Sequence, residues 1–157
     1  MRLIAHDIRS LHNVGAIFRS ADAFGVEKIY LTGYTPTPPR KEIAKVALGG
    51  EDRVAWEHAP DPLPLVEALK QGGWTVVALE NGVRAEPIAS VAASVDAGKT
   101  VLVLGNEVEG IPAALLAACD RIAEIPMPGR KRSLNVSVAT GVALFAFGAK
   151  NGYPTAQ

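Results

Sequence analysis

An open, doubly wound α/β sheet is the fold expected of this chain, on two observations. Five short apolar runs, many of them β-branched, alternate with segments of helical period, and no repeat or linker interrupts the alternation. Each run is apolar almost throughout, as strands of a parallel sheet covered on both faces should be. With 157 residues and 48% hydrophobic side chains, one domain spanning 1–157 has enough apolar surface to build a core.

The expected strands are residues 3–5, 28–32, 74–79, 100–104 and 122–125. The first helix should run over about 13–24 and stop at Gly25, which can take a positive φ at low cost. Helices are also expected near 40–48, 62–71 and 112–119, with Pro62 and Pro112 in first turns that need no N–H. The last helix, 134–149, carries no charge, and its polar side chains are Asn135, Ser137 and Thr140. It should be buried nearly all round, either in the core or against a second copy of the chain. It is too short and too interrupted for a membrane span.

Lys+Arg 16 balances Asp+Glu 16, which excludes a strongly basic polyelectrolyte binder. The balance is uneven along the chain, because residues 130–157 hold four bases and no acid, three of them Arg130, Lys131 and Arg132. Taken alone, that triplet reads as a solvated turn. The single cysteine, Cys119, cannot form an internal disulfide and should pack in the core, and the start lacks a signal-peptide core, so the expected compartment is the cytoplasm. His6, His12 and His58 have no paired spacing, so no metal site is expected.

Three segments concentrate polar and glycine residues after expected strands, where open α/β sheets bind ligands. In the first, 11–25, Asn13 should cap the helix, while Arg19 stands among Ala16, Ile17, Phe18, Ala21 and Phe24. Arg19 is then either a surface residue or a partly buried arginine that meets a carboxylate or phosphate. In the second, 104–112, glycines would let the backbone approach a flat ligand, or the segment is an ordinary connection. No Walker A sequence and no G-x-G-x-x-G after a strand is present, which removes the main support for nucleoside-triphosphate and nicotinamide chemistry. In the third, 125–138, Ser133 should cap the last helix, and Asn135 is either a structural tie or a ligand contact.

Together the segments resemble the three motifs of the SpoU or TrmH family, within the SPOUT superfamily of knotted RNA methyltransferases. The motifs are N-x5-R-S-A at 13–21, G-N-E-x-x-G at 105–110 and I-P-M-x-G followed by S-L-N-V-S-V-A at 125–139, in the family's order and within a match running from Asp7 to about Lys150. The resemblance implies an open parallel-sheet SPOUT fold with a C-terminal deep trefoil knot, and a homodimer. It also implies methyl transfer from S-adenosylmethionine to a ribose 2′-hydroxyl of structured RNA; the resemblance does not separate tRNA from rRNA, and the compact size of the chain favours tRNA, with rRNA the alternative. A non-catalytic RNA-binding module of the same fold and a small-molecule methyltransferase are the competing classes.

Carried over residue by residue, the resemblance implies that Leu79, Gly105, Ile125, Met127, Ser133 and Leu134 hold the cofactor. Arg19, Asn13, Glu107 and Asn135 correspond to catalytic motif positions, and Arg19 with Arg130, Lys131 and Arg132 would meet RNA. An arginine is almost never neutral, since its pKa lies above about 12. Arg19 should therefore grip a phosphate and orient the hydroxyl, with a phosphate oxygen or Glu107 taking the proton.

Overall fold

The computed structural model describes residues 1–149. Along the chain lie β1 (Arg2–His6), α1 (Leu11–Ala23), β2 (Lys28–Thr32), α2 (Lys41–Ala47), α3 (Gly50–Arg53), β3 (Ala55–Ala59) and α4 (Pro62–Gln71). Then come β4 (Thr75–Leu79), β5 (Glu86–Pro87), α5 (Ile88–Ser94), β6 (Thr100–Leu104), α6 (Ala113–Ala118), β7 (Arg121–Glu124) and α7 (Val136–Ala149). The seven strands form one sheet in the order β3-β2-β1-β6-β4-β7-β5, and every pairing is parallel.

Side chains alternate across the sheet and feed two cores. Leu3, Ala5, Leu102 and Leu104 face one side with Ile17, Phe18, Ile43 and Phe147. Ile4, Val101 and Val103 face the other with Val66, Leu69 and Leu115. Helices thus cover both faces, as the apolar runs require. Gly15 sets α1 close on α2, since a β-carbon there would come within 2.6 Å of the Ile43 carbonyl oxygen. No helix of the described residues is long and apolar enough to cross a membrane.

The five expected strands are present with ends shifted by no more than a residue or so, but β3 and β5 were not expected. Both are edge strands. The sequence of β3, AWEHA, is mostly exposed, and β5 has two residues, so neither presents the apolar run that marks a strand buried on both faces. Two expected caps are also displaced. Ser10, not Asn13, caps α1, its Oγ accepting from the Asn13 N–H at 3.3 Å. Asn135, not Ser133, caps α7, its Oδ1 accepting from the Ser137 N–H at 2.9 Å. Nor is α7 buried all round in the single chain: Thr140, Ala143, Leu144 and Phe147 face the core, while Val138, Val142 and Phe145 are exposed. Lys150, the expected end of the motif-bearing stretch, lies outside the described residues.

Candidate active site

Because β6, β4 and β7 are neighbours, the ends of three parallel strands, Leu104, Leu79 and Glu124, stand side by side. The loops that leave them enclose a cavity of about 700 Å³. That volume suits a ligand of cofactor size. Its lining includes Leu79, Gly105, Ile125, Met127, Ser133 and Leu134, the six residues expected to hold a cofactor, together with Glu107 and Asn135. Segments separated by up to 60 positions in the chain, from Leu79 to Ala139, therefore converge on one space.

The 105–111 loop is shaped by groups that the motif reading left without a role. Asn106 closes the turn, its Oδ1 accepting from the N–H groups of Val108 and Glu109 at 2.8 and 2.9 Å. Its amide donates outward to the Asp7 carbonyl and to Tyr34 Oη, at 2.8 and 2.6 Å. Glu80, at the exit of β4, accepts from the Ile111 N–H at 3.0 Å and so ties the loop to its neighbour strand. Gly105 leaves no room for a side chain, since a β-carbon would stand 2.6 Å from the Gly110 carbonyl carbon and 2.7 Å from the Ile111 nitrogen. The signal for Asn106 was its place inside G-N-E; Glu80 had none.

Glu107 leaves this loop to meet the start of α1. Its carboxylate accepts from the backbone N–H groups of Arg9 and Ser10 at 3.0 and 3.1 Å, and from the Asn13 amide at 2.9 Å. Partial burial pushes the carboxyl up, but these donors outweigh it and hold the pKa below the usual carboxylate value. A carboxylate so occupied is a weak proton acceptor.

Asn13 and Arg19 do not line the cavity, and neither do Arg130, Lys131 and Arg132. Of the two positions open to Arg19, the structure has the surface one: it is exposed and makes no ion pair among the described residues. Its neighbours Ile17, Phe18 and Ala21 take the buried side of α1. The basic turn is exposed too, and is held to the cavity rim by the Asn81 amide, which donates to the Arg132 carbonyl at 2.8 Å.

Charge distinguishes the cavity from its surroundings. Glu80, Glu107, Glu109 and Glu124 line it, and among the described residues no lysine, arginine or histidine does. With Leu79, Leu104, Ile111, Leu116 and Ile125 among the remaining walls, it is built for a ligand with an apolar body and a positive charge. Asn135 spends its oxygen on the cap, while its amide N–H groups have no partner among the described residues. Elsewhere, no three His, Cys, Asp or Glu side chains among the described residues converge on a metal site. Cys119, partly buried, donates to the Leu115 carbonyl, and burial pushes its thiol up to about 12, which leaves it unreactive.

The family model described as the SpoU rRNA Methylase family matches residues 1–145. A 23S rRNA (guanosine-2′-O-)-methyltransferase RlmB of Xanthomonas axonopodis pv. citri (strain 306) is 35% identical over 144 residues, covering 91% of this chain and 56% of that protein. The protein of the same name from Pseudomonas aeruginosa is 36% identical over 134 residues, covering 85% and 52%. The chain thus spans about half the length of the curated relatives it matches. Among solved structures, the A. aeolicus TrmH/SpoU tRNA modifying enzyme superposes with a TM-score of 0.83 at 30% identity, covering 95% of this chain and 74% of that one. The AdoMet-bound rRNA methyltransferase from Sinorhizobium meliloti gives 0.86 at 28% identity, covering 98% and 57%.

Proposed function

From the premise that the chain belongs to the SpoU rRNA methylase family, we propose that it transfers a methyl group from S-adenosylmethionine to a ribose 2′-hydroxyl of RNA. The observation that carries this reading is the cavity at the ends of β4, β6 and β7, which gathers all six expected cofactor residues and surrounds them with carboxylates. When bound, S-adenosylmethionine supplies an electrophilic methyl group on a positively charged sulfur. Residues 105, 125 and 134 would hold it by their main chain, with Leu79, Met127 and Ser133 beside them. The four acidic side chains fit its charge.

In this reading, Arg19 grips a phosphate next to the target ribose and orients the hydroxyl. The 2′-oxygen would take the methyl group as the methyl–sulfur bond breaks and the sulfonium becomes the neutral thioether of S-adenosylhomocysteine, and the hydroxyl proton would pass to a phosphate oxygen of the RNA. Glu107 is the weaker acceptor because three donors already occupy it. Its part is to hold the start of α1, and with it Asn13, against the cofactor loop. Asn135 offers its free amide to a ligand. Arg130, Lys131 and Arg132 supply the local positive surface that phosphate contact requires in a chain of zero net charge.

The reading carries with it the family's C-terminal trefoil knot, supported by the packing of loops 105–111 and 125–135 around one cavity and by the Asn81 tie to Arg132. It also carries a homodimer in the cytoplasm. Support for the dimer is the exposed stripe of Val138, Val142 and Phe145 on one side of α7. Ribosomal RNA is the first substrate reading, from the curated relatives, and transfer RNA the second, from the A. aeolicus neighbour.

The test is calorimetric titration of the chain with S-adenosylmethionine, followed by radiolabelled methyl transfer into total RNA. Saturable binding and label in nucleotides that resist alkaline cleavage at the 2′-position are expected. RNA binding without S-adenosylmethionine binding would overturn the enzyme reading, and transfer in the absence of RNA would replace it with a small-molecule reaction.

A further inference from the structure

A second concavity opens at the same edge of the sheet, beyond β2 and β3, with a volume of about 390 Å³. Its lining includes Tyr34, Thr35, Arg40, Trp56 and His58, and no carboxylate. This is the reverse of the first cavity, which among the described residues has four carboxylates and no base. Tyr34 is 59% exposed, Arg40 is exposed, and Trp56 rests partly on the core with the rest of its ring open. The floor is rigid. Thr35 Oγ1 accepts from the Ile8 N–H at 3.0 Å, the Tyr34 N–H donates to Asp7 Oδ1 at 3.0 Å, and His58 Nε2 donates to the Gly33 carbonyl at 3.2 Å.

Aromatic faces beside a cation are what a nucleobase and its phosphate require, and every base can stack on them. Position adds to chemistry. All strands are parallel, so both concavities lie at the carboxyl edge, and β2 stands two strand spacings, about 10 Å, from β6. That is a reach of a few nucleotides. A direct tie joins them, because the 2.6 Å hydrogen bond between Tyr34 Oη and the Asn106 amide links this groove to the loop that lines the cavity.

We propose that the groove between Tyr34, Arg40 and Trp56 is a stacking subsite for a single-stranded nucleotide flanking the one to be methylated. The proposal rests on the RNA methyl-transfer reading for the identity of its ligand. A base lies against Trp56 and Tyr34, its phosphate meets Arg40, and Tyr34 reports occupancy to the cofactor loop through Asn106.

The chain has two tryptophans, and Trp74 lies at the amino end of β4, the opposite edge of the sheet. Trp74→Phe therefore leaves Trp56 as the single fluorescent reporter. Titrating this variant with pentaadenylate should quench the emission saturably. Arg40→Ala, at an exposed position, and Tyr34→Ala should each weaken that binding by about tenfold or more, while Tyr34→Phe, which keeps the ring, retains it. Absence of quenching, or affinity in Arg40→Ala and Tyr34→Ala unchanged from that of the Trp74→Phe parent, overturns the subsite. The two readings fail distinguishably: methyl transfer into RNA without quenching sinks the groove alone, and quenching without any methyl transfer sinks the enzyme reading and with it the groove's place beside a methylated nucleotide, leaving only a nucleotide-binding groove.

Discussion

Glu107 and Asn13 stand 94 residues apart in the chain and meet through a 2.9 Å hydrogen bond from the asparagine amide to the carboxylate. With the Arg9 and Ser10 N–H groups on the same carboxylate, this contact fixes the first turn of α1 against the loop that follows β6. The first and second motifs thus act as one unit.

Glu107→Gln tests that unit. It removes the charge and turns an N–H₂ group toward an N–H donor, so a loss of about 1–2 kcal/mol is expected at neutral pH, read from urea unfolding. The pH dependence has a definite sign. The folded-state pKa is depressed, so the carboxylate contributes stability above its unfolded value near 4.5 and loses it as the pH falls through the folded value. The gap between wild type and variant should therefore narrow below about pH 4.5; a gap that widens in acid would show that the donors do not favour the charged form.

Asn135 has a capping oxygen and an amide with no partner among the described residues, and two substitutions separate them. Asn135→Ala loses the cap of α7 and should cost about 1 kcal/mol, a fall of roughly 2–4 °C in Tm. Asn135→Asp keeps a capping oxygen and should melt close to wild type. It adds a fifth carboxylate to the cavity and removes the donor, so methyl transfer should fall at least tenfold in a folded protein. Full activity in the aspartate variant would reduce Asn135 to a cap.

Such dual roles mark the limit of what sequence pattern conveys. Strands buried on both faces, such as residues 28–32 and 100–104, announce themselves as apolar runs because both faces meet helices. The edge strand AWEHA does not, since its exposed side chains answer to solvent. The six residues expected to hold a cofactor share one cavity: five of them fall within the motifs, and Leu79 was legible as the end of an expected strand. Helix caps were less so. Ser10 and Asn13 are both good capping residues, and the choice between them depends on Glu107, which draws the Asn13 side chain away from across the fold. The side on which Arg19 lies stays open in the sequence for a related reason: apolar neighbours along a helix place a residue near the core without putting it on the buried face.

Gly105→Ala is expected to be costly although it adds a single methyl group. The new carbon would meet backbone on the far side of the loop, so the chain itself has to move. A loss of about 1–3 kcal/mol is expected, with S-adenosylmethionine binding lost in calorimetry even where the protein remains folded. Unchanged binding would mean that the loop tolerates displacement.

Arg19→Lys leaves a positive charge on an exposed helix position, so stability should stay within about 0.5 kcal/mol. The planar fork is gone, and if it grips phosphate at two points, methyl transfer should fall more than tenfold with cofactor binding intact. Near-normal transfer would show that a point charge suffices.

The order of strands also has a consequence in time. The central pairing of the sheet sets Arg2 of β1 beside Val101 of β6, with β4 already in between along the chain. At about 5–20 residues per second, ribosomal synthesis of the intervening stretch takes roughly 5–20 s. Throughout that interval β1 can pair with β2 on one side, while its other edge stays open to any strand that comes near. The nascent chain is therefore at its most vulnerable to mispairing before β6 emerges, and the finished fold closes that edge only once nearly two thirds of the chain has been made.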